Sequence, residues 1–155
     1  MDSILAMAVK KPVSAKEKII LALDVDDFDQ ARSLVRELKD HVGYFKVGIR
    51  LHTSCGFDAI NMIQDEGAKV FFDGKFHDIP NTVAHACANL VKRGIDFFDV
   101  HIKGGSKMLT NTVRLCNETA KKLGDEPPTI LGVTLLSSFG QRTLTQELGV
   151  DLNIE

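Results

Sequence analysis

Five short apolar runs, Ile19–Leu23, Tyr44–Val47, Lys69–Phe72, Phe97–His101 and Thr129–Leu135, are each rich in β-branched or aromatic residues and alternate with stretches of helical periodicity. Few folds satisfy that order. A strand that is apolar along its whole length is buried on both faces, so it belongs to a parallel sheet covered by helices. The predicted fold class is therefore α/β, either a doubly wound sheet or a (β/α)8 barrel.

The intervening segments read as helices. Phe28, Ala31, Leu34, Val35 and Leu38 recur at helical spacing, and the acidic cluster Asp26, Asp27 and Asp29 suits the positive N-terminal end of that helix. Residues 50–66 carry a second, less regular helix ending at Gly67. A third, over residues 80–93, opens on Pro80, which costs nothing in a first turn, sets Val83, Cys87, Leu90 and Val91 on one face and stops at Gly94. A fourth, over residues 106–123, aligns Leu109, Val113, Cys116, Ala120 and Leu123 before Gly124, and a short one lies near residues 143–148.

Polar groups choose between the two architectures. They gather just past the strand ends: Asp24, Lys46, Asp73 with Lys75, His101 with Lys103, and Ser137 with Ser138. Barrels collect reactive groups from many strand ends at one face, whereas an open sheet concentrates them at a switch point. No G-x-G-x-x-G follows the first strand, so a dinucleotide site loses its main support. Units repeating every 25–30 residues or so would need roughly 220 residues to close eight-fold, near the lower limit for the fold. The chain is therefore read as residues 1–17, an N-terminal extension, and residues 18–155, a barrel domain of about five units, incomplete at its C-terminal end.

A net charge of -2 and a pI near 6.2 give no electrostatic case for nucleic acid, and no window is apolar over a membrane-spanning length. The expected ligand is a small molecule. Cys55, Cys87 and Cys116 are far apart and lack C-x-x-C spacing, which points to reduced thiols, not to disulfides or zinc. The apolar stretch over residues 4–9 precedes Lys10 and Lys11 where a leader would follow its charges, so the sequence reads as cytoplasmic.

The densest chemistry lies in FDGKFHDIPNT, where Asp73, Lys75 and Asp78 form D-x-K-x-x-D directly after a strand. Residues two apart on a strand share a face, which forces the Asp73 carboxylate and the Lys75 ammonium together at the strand's end. Asp78 returns within range through the turn that Pro80 closes. Such spacing also describes a surface ion pair contributing roughly 0–1 kcal/mol. Asp24 has a comparable second reading as a helix cap, Ser137 and Ser138 as a capping pair, and His101 as a hydrogen-bonded structural residue. His77 and His85 read as helix-end or surface groups, and Lys103 is given no role.

Taken together, LALDV at residues 21–25, FKVG at 45–48, FFDGKFHDIPNT at 71–82, VH at 100–101 with Gly104 and Gly105, and VTLLSS at 133–138 resemble the orotidine 5′-phosphate decarboxylases. The resemblance runs from Lys18 to Glu155. It implies a (β/α)8 barrel acting as a homodimer with shared sites, a cofactor-free and metal-free lyase that converts orotidine 5′-monophosphate to UMP and carbon dioxide in pyrimidine biosynthesis. It further implies Lys75 as proton donor to C6, Asp73 against the substrate carboxylate, and Asp78 with Thr82 reaching toward the ribose in the partner's site. Asp24 and Lys46 would bind ribose hydroxyls and complete the charged array, and Ser137 would contact the pyrimidine. The family's phosphate-binding glutamine and arginine have no counterpart to assign, so the 155-residue chain is expected to be weakly active or inactive alone. Two alternatives stand beside this: a magnesium-dependent phosphosugar synthase or decarboxylase on the same scaffold, and a partial barrel without catalysis.

Overall fold

Strands β1 (Ile20–Ala22), β2 (Tyr44–Gly48), β3 (Lys69–Phe76), β4 (Phe97–His101) and β5 (Thr129–Val133) are all parallel and lie side by side in chain order. This computed structural model describes residues 14–151. Helices α1 (Phe28–Leu38), α2 (Ile49–Cys55), α3 (Asp58–Asp65), α4 (Pro80–Lys92) and α5 (Gly105–Leu123) fill the crossovers. Sequential order without a reversal is the barrel pattern, since a doubly wound sheet must change direction at a switch point.

The strands separate two faces by simple alternation. Phe45 and Val47, Val70 and Phe72, and Phe98 and Val100 turn toward the helices and are buried. There they join Val35 of α1, Leu51 of α2, Ile60 and Ile63 of α3, Val83, Cys87, Leu90 and Val91 of α4, and Met108 and Cys116 of α5 in one core. The opposite face begins with an aromatic layer, in which Phe97 stands 4.8 Å from Phe71 and 5.8 Å from Tyr44 between ring centroids. One pleat further along, the apolar layer gives way to Asp24, Gly48, Asp73 and Asp99. Ile20 and Leu131, on the two outermost strands, are both 40% exposed.

Local chemistry explains the element ends. Asp27, not Asp24, caps α1, its carboxylate accepting the Gln30 N–H at 2.8 Å. The helix expected over residues 50–66 is two helices, because Gly56 takes φ 60° and breaks the ladder between α2 and α3. α5 ends as expected, on Gly124 in the left-handed conformation. The expected last helix is a single wide turn over Thr143–Glu147, anchored by buried Leu144. At the other end of the described chain a 3-10 turn over Lys16–Lys18 lies against Gly43, where a Cβ would meet the Glu17 backbone at 2.6 Å. Most of the expected extension, residues 1–13, lies outside the described residues.

Candidate active site

β3 runs four residues beyond the apolar run that marks it in the sequence, and those four carry the site. Its register with β4 is regular at Phe71 and Phe72, slips, and resumes at Phe76 opposite Val100. Within the slip Lys75 adopts φ 47°, and among the described residues no other non-glycine has a positive φ. Bulges of this kind re-aim a side chain at a strand end. Here the result is that Asp73 and Lys75 remain on one face, with the Lys75 ammonium hydrogen-bonded to Asp73 Oδ1.

Four of the seven expected site residues come together. The Lys46 ammonium, delivered by β2, lies 3.2 Å from Asp24 Oδ1 and 3.1 Å from Asp73 Oδ2. Asp73 is thus held from both sides by lysines, and the charges alternate as Asp24, Lys46, Asp73, Lys75. The alternation compensates each charge locally, which lets them stand at the margin of an apolar layer without the full penalty of desolvation. Burial works to raise the Asp73 carboxyl, but hydrogen bonds from Lys75, Asp99 and Lys46 outweigh it and hold the group below the ordinary carboxylate value. Burial likewise opposes the charge on Lys46, and Asp73 followed by Asp24 more than reverses it, so its pKa lies above that of a free lysine.

The remaining three lie apart. Asp78 is exposed and its carboxylate accepts the N–H of Ile79 at 2.6 Å. Thr82 is exposed in the first turn of α4, and Ser137 is exposed beyond β5. The second reading of Asp24, as a helix cap, is not met: its carboxylate pairs with Lys46, within the array, and Asp27 is the cap. His101 departs from its expected hydrogen-bonded role: its Nδ1 is buried without a partner, and its ring lies 5.4 Å from that of His77. Burial, then the neighbouring His77, Lys75 and Lys103, press its pKa below the usual histidine value.

Asp99 is the residue that sequence reasoning overlooks. It sits in the middle of β4, 3% exposed, with Oδ1 accepting the backbone N–H of Lys75 at 2.7 Å and Oδ2 4.0 Å from the Lys75 ammonium. Burial, with the Asp73 carboxylate beside it, pushes its pKa up to about 6. The available signal is a lone carboxylate inside the apolar strand FFDVH, two residues before His101 and therefore on the same face.

The sequential parallel sheet and the charges at its C-terminal rim define the class: a β/α-barrel scaffold carrying a polar site where barrels carry theirs. The chain belongs to the orotidine 5′-phosphate decarboxylase / HUMPS family, whose sequence profile matches residues 17–155. The orotidine 5′-phosphate decarboxylase of Syntrophotalea carbinolica is 46% identical over 143 residues, covering 92% of this chain and 58% of that protein. That of Moorella thermoacetica is 43% identical over 141 residues, covering 91% and 56%. The chain therefore spans less than two thirds of the length of these curated relatives. Among solved structures, the orotidine 5′-phosphate decarboxylase of Lactobacillus acidophilus superposes with a TM-score of 0.78 at 35% identity, covering 87% of this chain and 60% of that one. The enzyme of Methanocaldococcus jannaschii complexed with inhibitor BMP gives 0.65 at 30% identity, covering 88% and 65%.

Proposed function

We propose that this chain supplies the first five β/α units of an orotidine 5′-phosphate decarboxylase, converting orotidine 5′-monophosphate to UMP and carbon dioxide without metal or cofactor. The observation that carries the reading is the alternating array, in which Lys46 and Lys75 flank Asp73 at the strand ends.

The array suits the chemistry. When the bond from C6 to the carboxylate breaks, its electron pair stays on C6, where no adjacent carbonyl absorbs it. A fixed ammonium beside that carbon stabilises the growing charge, and because Asp73 already holds Lys75 in place, little reorganisation is needed. Lys75 then gives a proton to C6, leaving UMP and a neutral amine that regains its proton from water. Asp24, exposed at the outer end of the array, is free on one side to accept from ribose hydroxyls, with Lys46 beside it and Ser137 contacting the base.

Asp78 and Thr82 take their part in a second copy's site. Both are exposed, Asp78 in the β3–α4 connection and Thr82 in the first turn of α4, and Ile79 between them is 67% exposed, as an apolar residue at a homodimer contact should be. The protein acts in the cytoplasm; among the described residues no helix is long and apolar enough to cross a membrane.

The test is ultraviolet-monitored decarboxylation of orotidine 5′-monophosphate, with and without chelator, by the 155-residue chain and by a version extended to the relatives' length. The extended protein turns over regardless of chelator, and the short chain is weak or inactive. Lys75→Ala lowers kcat by at least about a thousandfold, the scale of losing a principal charge-stabilising group. Turnover of a phosphosugar that requires magnesium, with none of orotidine 5′-monophosphate, would overturn the assignment.

A further inference from the structure

We propose that Asp99 is a positioning residue for Lys75: its carboxylate, reaching across from β4, holds the Lys75 backbone in its left-handed conformation and thereby aims the ammonium at Asp73. The inference rests on the reading of Lys75 as the proton donor.

A side chain at positive φ is strained and persists only where its surroundings over-determine it. At φ 47° Lys75 is in that state. The register slip between Phe72 and Phe76 deprives its partly buried N–H of a regular ladder partner, and that N–H needs another acceptor. Asp99 Oδ1 is that acceptor at 2.7 Å. Because Asp99 is 3% exposed, water is poorly placed to replace it. The second oxygen, 4.0 Å from the ammonium, acts on the other end of the same residue. One carboxylate therefore fixes both the backbone that launches the side chain and the electrostatic setting of its tip.

The charge of Asp99 is itself conditional. The groups around it are Asp73 and Lys75 from β3 and Cys87 from α4, which feels its charge, while its partner in β5 is Leu131. Burial and Asp73 together raise its pKa to about 6. Below that pH Asp99 is protonated and no longer sets a negative charge 4.0 Å from the Lys75 ammonium. An asparagine at this position keeps an oxygen for the Lys75 N–H but cannot titrate.

The test compares wild type, Asp99→Asn and Asp99→Ala in the protein extended to the relatives' length. Amide hydrogen exchange at Lys75 is read by NMR without substrate, and the pH profile of kcat is read with it. Asp99→Ala should lower Lys75 protection by about a hundredfold while Phe98 stays protected, and Asp99→Asn should stay within about threefold of wild type. In wild type kcat should step down near pH 6, and in Asp99→Asn the step should vanish. Unchanged Lys75 protection in Asp99→Ala, or a surviving step in Asp99→Asn, overturns the proposal; should the alanine variant not fold, the asparagine profile decides alone. If exchange behaves as expected and no variant turns over orotidine 5′-monophosphate, the substrate assignment falls and the positioning role stands.

Discussion

Gly48 stands opposite Asp73 in the register of β2 and β3, and a Cβ on it would lie 3.3 Å from the Lys46 ammonium and 4.0 Å from both Asp24 Oδ1 and Asp73 Oδ2. Three members of the array thus converge on a residue with no side chain. Its backbone, at φ -85° and ψ 176°, is ordinary extended chain, so the glycine is explained by space and not by conformation. Gly48→Ala should leave folding intact, changing stability by less than about 1 kcal/mol. It should lower kcat/KM about tenfold by displacing Lys46 a few tenths of an ångström. Urea denaturation and steady-state kinetics on the extended protein check the two halves separately.

The raised pKa of Asp99 has a signature in stability. A carboxyl whose folded pKa of about 6 exceeds its unfolded value of 3.8 favours the folded state at low pH, and that contribution is lost as pH rises through the folded pKa. Asp73 works in the opposite sense, stabilising above its unfolded value and losing its contribution as acid protonates it. Asp99→Asn removes the first effect, and its amide N–H can still donate to Asp73 and keep the second. Its stability relative to wild type should therefore increase from pH 4 to pH 6, by up to about 3 kcal/mol for a shift of this size, and level off above. A flat difference between the two urea denaturation series would refute the assignment of the titration to Asp99.

Asp24 and Asp27 separate function from folding within four residues. Asp27→Ala removes the α1 cap and should cost about 1 kcal/mol with kcat/KM unchanged. Asp24→Ala leaves the cap in place and releases Lys46 from one of its two carboxylates. It should raise KM at least about tenfold with stability within roughly 0.5 kcal/mol of wild type. Interchanged results would mean the two carboxylates have been given each other's roles.

Phe98 is fully buried between the sheet and its helices. Phe98→Ala should destabilise by about 3–5 kcal/mol through lost burial and the cavity left behind. That is a large part of what a single domain has to lose. A urea midpoint shift corresponding to less than about 1 kcal/mol would mean that the sheet packs differently from this description.

Strand order and helix positions were legible because the apolar runs are continuous and the helical faces are regular, and β4 begins and ends where its run does. Asp73 and Lys75 were legible because two polar residues at spacing two must share a face. The extent of β3 was not, since a bulge is a property of pairing with β4 and leaves no local mark in GKF. Asp99 was hidden for a related reason: one carboxylate in a buried strand has meaning only through its partner, and Lys75 is 24 positions away. The division of residues 50–66 turns on Gly56, which helical periodicity tolerates and the backbone does not. Asp24 and Asp27 are both good caps by type, and only the angle at which the chain enters α1 selects the second.

Phe72, Gly74 and Phe76 alternate along β3 with Asp73 and Lys75, and they line an external hollow with Ile49, His52, Phe57 and Leu90. A Cβ on Gly74 would press on the Phe72 ring at 2.8 Å and the Phe76 ring at 3.1 Å. The bend that presents the lysine can therefore be adjusted from behind. For anyone evolving this scaffold toward a new reaction, positions 72, 74 and 76 are tuning points that shift the lysine without replacing any charged residue of the array.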